Sequence, residues 1–468
     1  MFTHVLFNVV IPDHKADAFR LPYRVEPGVG NVIVSNLLGG FSRWDAQYFM
    51  HITLYGYTHE NTLAFFPLFP LFLKWLSCLI SFIFPSFFSS LNCVLLVGTL
   101  LNCILFSIAA VFLFKLTHTV FHSELFAFTS IFLFCINPAS VFFSALYSES
   151  LFSFFTFSGL WALEKNKIFW ALISLTLSVG VRSNGVLSVG YLIYVILKEY
   201  LYLNFLDQQT FRARIILFFK TAVKLLLYVF IFILPFFAYQ LYCYWLFCVS
   251  DFSEVELPDI VVEFLIRNDL KLPSEPSKWC FWNIPLAYSY VQSRYWNVGF
   301  LTYHTVVQIP NFLLAAPILI LMIFSSIKYF NKNRRFLWHA GLLVMENDDL
   351  TDIYNCTRCF PYFLHVFTLT IFCVLFIHVQ VTTRILCSAT PIVYWISAMA
   401  VLPNSERARM KLMKDYKDYS YQGFLAANMH FIKKIYMHST FYGKFIFWYF
   451  MCYFFIGISL HVNFFPWT

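Results

Sequence analysis

Residues 93–114 read CVLLVGTLLNCILFSIAAVFLF, twenty-two positions without a charged side chain. The hydrocarbon core of a bilayer is filled by about 20 apolar residues in helical form. Lys115 follows at once, and the run has no strict apolar–polar alternation, so it reads as a membrane helix and not as a barrel strand. Runs of the same kind recur at 63–84, 125–146, 150–163, 168–197, 225–248, 309–327, 361–380, 385–402 and 445–462. The 150–163 run is short, and Arg182 interrupts 168–197. Met1–Ile11 is apolar too, too short to cross alone, and reads as the tail end of a first helix.

The composition agrees. Of 468 residues, 60% are hydrophobic and 12% charged, with 60 Phe; the mean hydropathy is +0.69. Soluble domains carry about 25% charged residues. A soluble enzyme, a disordered chain, a collagen, a coiled coil and a secreted disulfide scaffold are therefore excluded. The expected fold is an all-α polytopic membrane protein, one domain over 1–468. Lys and Arg number 32 against 24 Asp and Glu, a net +8. Outside the loops no basic patch exists for nucleic acid, so the excess is read as topology. Most of the 12 cysteines lie in apolar runs and act as small hydrophobes.

Basic stretches at 198–224, 328–335 and 406–434 mark the cytosolic side. The 249–308 loop is acidic (Asp251, Glu254, Glu256, Asp259, Glu263, Asp269, Glu275) and falls on the other side. Counting back from Lys198 through five runs puts the 12–62 loop there as well. The 361–402 segment reads as a hairpin whose tip, His378–Arg384, faces the same way.

The densest chemistry is in the 12–62 loop: Arg43-Trp44-Asp45, then Glu60 just ahead of the 63–84 run. A carboxylate held ionised by a neighbouring cation can take a proton from a hydroxyl. A guanidinium fork suits phosphate, and Trp44 offers a flat face for a sugar ring. The same residues also fit an interfacial anchor, with Asp45 opening a short helix.

Several ordered motifs resemble the glycosylphosphatidylinositol (GPI) mannosyltransferase 2 family, PIG-V type. They begin with Leu6-Phe7-Asn8, Ile11-Pro12-Asp13-His14, Leu38-Gly39-Gly40, Trp44-Asp45-Ala46 and Ala64-Phe65-Phe66-Pro67. Asn137-Pro138-Ala139, Tyr147-Ser148-Glu149 and Gly180–Gly185 continue the series. Ile309–Pro317, His378-Val379-Gln380-Val381, Ser388-Ala389-Thr390-Pro391 and Asn463–Thr468 complete it. The resemblance covers the whole length. It implies a GT-C glycosyltransferase of the endoplasmic reticulum membrane with luminal loops at the active site. The implied donor is dolichyl-phosphate mannose and the acceptor a GPI precursor bearing one mannose. The second mannose is then joined α-1,6 by an inverting single displacement. Asp45 occupies the position of the general base. The family often places His after the acidic residue of this loop, whereas here Glu60 is followed by Asn61. No cofactor is expected, and no metal cage is evident. The partners implied are lipid-linked donor and acceptor, the membrane, and at most a small membrane subunit.

Other candidates for substrate binding each have a plainer reading. Glu149 is a site carboxylate or a loop residue on the cytosolic side; only a broken run, with Pro138 as the breaker, puts it opposite the cytosol. Arg182, near Asn184, either pairs with Glu149 or Glu164 or contacts a substrate phosphate. Arg384, with His378 and Gln380, clamps a lipid phosphate or snorkels to the interface. Cys356 and Cys359 lack further zinc ligands, and the Asn355-Cys356-Thr357 sequon falls on the cytosolic side. Cys248 and Cys280 can pair in an oxidising lumen. A lipid transporter or scramblase calls for inverted repeats, and none is seen. A non-catalytic subunit of a GPI-processing complex is the third reading, and the presence of Asp45 weighs against it.

Overall fold

The computed structural model describes residues 6–7, 10–15, 18–22, 28–85, 87–206, 210–250, 257–273, 276–339, 341–342, 352–403, 405, 408–412, 414 and 424–465. Several positions used above lie outside them: most of Met1–Ile11, Asp251, Glu254, Glu256, Glu275, residues 415–423 and Pro466-Trp467-Thr468.

Among the described residues every regular element is a helix. The first loop holds α1 (Val29–Leu38) and α2 (Asp45–Tyr55), so 12–62 is folded rather than a bare connection. There follow α3 (Leu68–Ile83), α4 (Ser90–Phe121), α5 (Glu124–Cys135), α6 (Ser140–Ser144), α7 (Glu149–Glu164) and α8 (Ile168–Val181). Next come α9 (Val189–Leu206) and α10 (Phe211–Tyr244), then α11 (Asp259–Arg267) and α12 (Ala287–Trp296) in the second loop. The chain continues with α13 (Ile309–Lys332), α14 (Phe360–Phe376), α15 (Val379–Ala389), α16 (Ile392–Val401), α17 (Phe424–His438) and α18 (Phe441–Val462). Six helices are long and apolar enough to cross a membrane, or seven crossings if α15 and α16, bent by 83° at their junction, are one. The protein is thus an all-helical polytopic membrane protein.

Two apolar runs are broken where the sequence is polar. Pro138 has no N–H to donate and disfavours helix at Asn137. Asn137 stabilises the break: its Nδ2 donates to the Phe134 carbonyl (2.7 Å) and its Oδ1 accepts from the Ala139 N–H (2.8 Å). The 125–146 run is therefore α5, a turn and the short α6. The 168–197 run is two helices, because Arg182 leaves the helical region (φ −151°, ψ 142°) and residues 183–188 form a 3-10 turn.

Contacts define the two ends of the bundle. At one end Trp395 Nε1 donates to Thr117 Oγ1 (2.7 Å), the Trp395 ring packs on Phe121 and Tyr362, and the Tyr362 hydroxyl donates to Glu164 (2.7 Å). Lys198 and Arg358 lie beside that carboxylate, which makes this the basic end. At the other end Asn102 of α4 donates to the carbonyl of Tyr147, ahead of α7. Asn102 to Phe121 is about 28 Å of helix, the depth of a hydrocarbon core.

This corrects the 63–84 span. Ser81 reaches Cys93, and Leu73 packs against Gly98. Helix α3 therefore lies beside the first turns of α4, which precede Asn102, and does not run alongside the Asn102–Phe121 stretch. Between the first loop and Lys198 the chain passes from one end of the bundle to the other along α4, α5–α6, α7, α8 and α9, of which α4 and α9 with its preceding turn are long and apolar enough to cross a membrane alone. The number of passes is unchanged, since one run is lost and one is split. Glu149 and Arg182 now fall at the end opposite Lys198.

Candidate active site

Helices α7 and α8 form an antiparallel hairpin. A Cβ on Gly159 would meet Leu175 Cγ at 2.7 Å, so only glycine allows this close approach. The hairpin begins with Glu149 and ends at Arg182. A carboxylate at a helix N-terminus and a cation at a C-terminus both suit the helix dipoles. The geometry makes them an ion pair, Arg182 Nη1 to Glu149 Oε1. Arg182 also donates to Ser148 Oγ (3.3 Å) and to Asn184 Oδ1 (3.4 Å).

Arg384 joins this pair to the first loop. It lies within α15, below the turn at His378, which corrects its placement at a hairpin tip. Its Nη2 is 2.7 Å from Asp45 Oδ2 and its Nε 3.8 Å from Glu149 Oε1. Its guanidinium packs over the rings of Phe142 and Tyr147. Asp45, Arg384, Glu149 and Arg182 form one chain of alternating charge. The Glu149 side chain is 0% exposed and that of Asp45 27% exposed, so Asp45 is the accessible carboxylate.

Asp45 opens α2. Trp44 before it has φ 58° and ψ −126°, a conformation non-glycine residues rarely hold. The Tyr147 hydroxyl pins this turn by accepting from the Asp45 N–H (3.2 Å) and donating to the Arg43 carbonyl (3.3 Å). Neither Tyr147 nor Asn102 was assigned a role on sequence. Asn102 had a legible signal, a carboxamide inside a charge-free apolar run.

Among the described residues, Arg384 Nη1 and Arg182 Nη2 donate to no protein atom, and Asn184 Nδ2 is buried without a partner. All three are donors of the kind that binds an anion, and they stand beside Glu149, whose buried oxygens accept no hydrogen bond among the described residues and are met by ion pairing alone.

The other candidates are placed as follows. Arg43 pairs with Asp13 (3.1 Å) and donates to the Val462 carbonyl (3.1 Å). Trp44 lies beside Phe464. Glu60 is buried and bound to the second loop: it accepts from Ser277 Oγ, from Trp279 Nε1 (2.8 Å) and from the Tyr295 hydroxyl (2.8 Å). Cys248 and Cys280 of that loop form a disulfide. His378 stacks on Tyr303 at 4.3 Å. Gln380, two residues on, is half-buried in the first turn of α15. Within the first loop Thr58 Oγ1 bridges His51 Nε2 (2.7 Å) and His59 Nδ1 (2.9 Å). Burial lowers His51 to about 4 and His59 well below the usual histidine range. Among the described residues no group of three or more His, Cys, Asp or Glu is placed to hold a metal ion.

Comparison with known proteins covers the same ground. The family described as Mannosyltransferase (PIG-V) matches residues 1–468. The chain is 36% identical over 479 residues to "GPI alpha-1,6-mannosyltransferase 2" of Homo sapiens, covering 100% of this chain and 96% of that protein. It is 35% identical over 486 residues to the protein of the same name in Cricetulus griseus, with 100% and 96% covered. For "GPI mannosyltransferase 2" of Drosophila melanogaster the identity is 33% over 414 residues, with 85% and 87% covered. No solved structure matches. With the family match running through Asp45, Glu149, Arg182 and Arg384 alike, the chain belongs to the PIG-V mannosyltransferase family.

Proposed function

We propose that this mannosyltransferase adds a mannose in α-1,6 linkage to a GPI precursor bearing one mannose, with dolichyl-phosphate mannose as donor, at the luminal face of the endoplasmic reticulum membrane. The names of its relatives support the GPI acceptor and the linkage. What supports the luminal side is the basic end: Lys198 and Arg358 lie opposite Asp45, and basic loops favour the cytosol.

The observation that carries the mechanism is the Asp45–Arg384 pair, with Asp45 as the accessible carboxylate. The acceptor hydroxyl oxygen attacks the mannose C1 as the bond from C1 to the phosphate oxygen breaks. The hydroxyl proton passes to the Asp45 carboxylate. The lipid phosphate departs with the bonding pair, and its charge is met by the unspent N–H groups of Arg384 and Arg182. A β-linked donor gives an α-linked product by this single displacement. Glu149 keeps the two guanidiniums from repelling each other in a buried site.

The test supplies labelled dolichyl-phosphate mannose to membranes containing the wild-type protein or Asp45→Asn. Label in a dimannosyl GPI intermediate with the wild type alone supports the reading. Label in another glycolipid, or equal label with both proteins, overturns it.

A further inference from the structure

The catalytic turn is gripped from the far end of the chain. Helix α18 finishes against the first loop, and its last turn touches Arg43 and Tyr147, which both hold the turn at Asp45. The His461 ring packs edge-on against Tyr147 (5.6 Å) and Phe142 (5.4 Å). The Val462 carbonyl accepts from Arg43 Nε at 3.1 Å. Phe464, itself at φ 59° and 2% exposed, lies under the Arg43 guanidinium at 4.5 Å. Arg20 approaches the same ring at 5.3 Å, and the Trp44 ring lies 5.9 Å away. One residue earlier, the Asn463 carbonyl accepts from the His14 N–H (2.8 Å), which brings Asp13 to Arg43.

These contacts surround a backbone that does not hold itself. Trp44 at φ 58° relaxes into an ordinary region once its surroundings let go. Because Asp45 is the next residue, such a relaxation swings its carboxylate off Arg384. Tyr147 fixes the turn from inside the bundle, and the segment after α18 fixes it from outside.

We infer that His461–Phe464 is a positioning element for the mannosyl-transfer base, with the Phe464 ring and the Arg43 guanidinium as its two working parts. Arg43 then acts on the turn and not on substrate. The inference rests on Asp45 being the base. Phe464 touches no reacting atom, and its effect is transmitted through Arg43 and Trp44.

The experiment measures kcat and KM for the donor, per folded molecule, in detergent-solubilised wild type, Phe464→Ala, Phe464→Leu, Phe464→Trp and Arg43→Lys. Displacement of a catalytic group by about 1 Å costs on the order of 100-fold. The Ala and Leu variants should lose about 10- to 100-fold in kcat with KM nearly unchanged. Phe464→Trp keeps a π face for the guanidinium and should restore most of the rate. Arg43→Lys keeps the charge opposite Asp13 but loses the planar fork, and should match the Phe464→Ala loss. In a fifth variant that combines Phe464→Ala with Arg43→Lys the two losses should not multiply, because both release the same turn. Wild-type kcat in Phe464→Ala and Phe464→Leu overturns the inference. So do multiplying losses, or a loss that tracks the amount of folded protein alone. Should Phe464→Ala fail to fold, Phe464→Leu against Phe464→Trp decides. Asp45→Asn is run beside them: if it stays active, the base assignment fails, and if it alone is inactive, only the positioning role fails.

Discussion

Arg384 Nη2 stands 2.7 Å from Asp45 Oδ2, although one lies in the first loop and the other in α15 near the end of the chain. The same guanidinium faces Glu149, so one side chain links the accessible carboxylate to the buried one. The charges of the site therefore act together.

Asp45→Asn keeps the shape of the side chain and removes the carboxylate proposed as the base. Losing a general base costs about 10²–10⁴-fold. Transfer in microsomes should fall by that much with the protein still inserted; near-normal transfer sinks the assignment.

Glu149→Gln leaves two guanidiniums facing each other without their shared counter-charge. Removing one partner of a buried ion pair costs about 3–5 kcal/mol. The detergent-solubilised variant should melt well below wild type, and Glu149→Gln with Arg182→Gln should melt higher than Glu149→Gln alone. A wild-type melting curve for Glu149→Gln shows that the pair holds nothing together.

Arg182→Ala should lower transfer more than Arg182→Lys, since lysine keeps the charge and loses the fork. Equal rates in both variants and in wild type leave Arg182 with no more than a space-filling part.

The two ends of the bundle should face different compartments. A cysteine at exposed position 268, in the second loop, should resist a membrane-impermeant thiol reagent in sealed microsomes and label after detergent. One at exposed position 331 should label at once. The opposite pattern inverts the topology and calls for a cytosolic donor.

His51 is lowered to about 4 by burial, below the 6.5 of an exposed histidine. Its folded form resists protonation, and the unfolded form takes the proton first. The stability this neutral group contributes is whole above about pH 6.5 and is lost as the pH falls toward 4. The melting temperature should drop across that window, and less steeply in His51→Gln. Parallel profiles in the two proteins rule out this histidine as the source.

Much of this was legible in the residues. Charge-free runs announce helices because a bilayer tolerates little else. Asp45 stood out as a carboxylate between Trp44 and membrane sequence, and Pro138 as a breaker. What stayed hidden depends on contacts between distant segments. Apolarity alone cannot distinguish α3, lying beside the first turns of α4, from a crossing helix. Glu60 looks like a site carboxylate until Ser277, Trp279 and Tyr295 claim its oxygens. Arg384 reads equally as a phosphate clamp or an interfacial anchor until α15 carries it down to Glu149.

The α7–α8 hairpin bears on how the chain is built at the ribosome. Glu149 and Arg182 emerge close together, and a lone charge on an inserting helix costs about 2.5–3.5 kcal/mol at the bilayer centre. Folded as a hairpin, the two enter as a neutral couple. Asp45 has by then been waiting since the first loop was made, and Arg384 arrives only after the second loop has been translated. The Asp45–Arg384 pair, by contrast, joins segments 339 residues apart and can close only once α15 has been made.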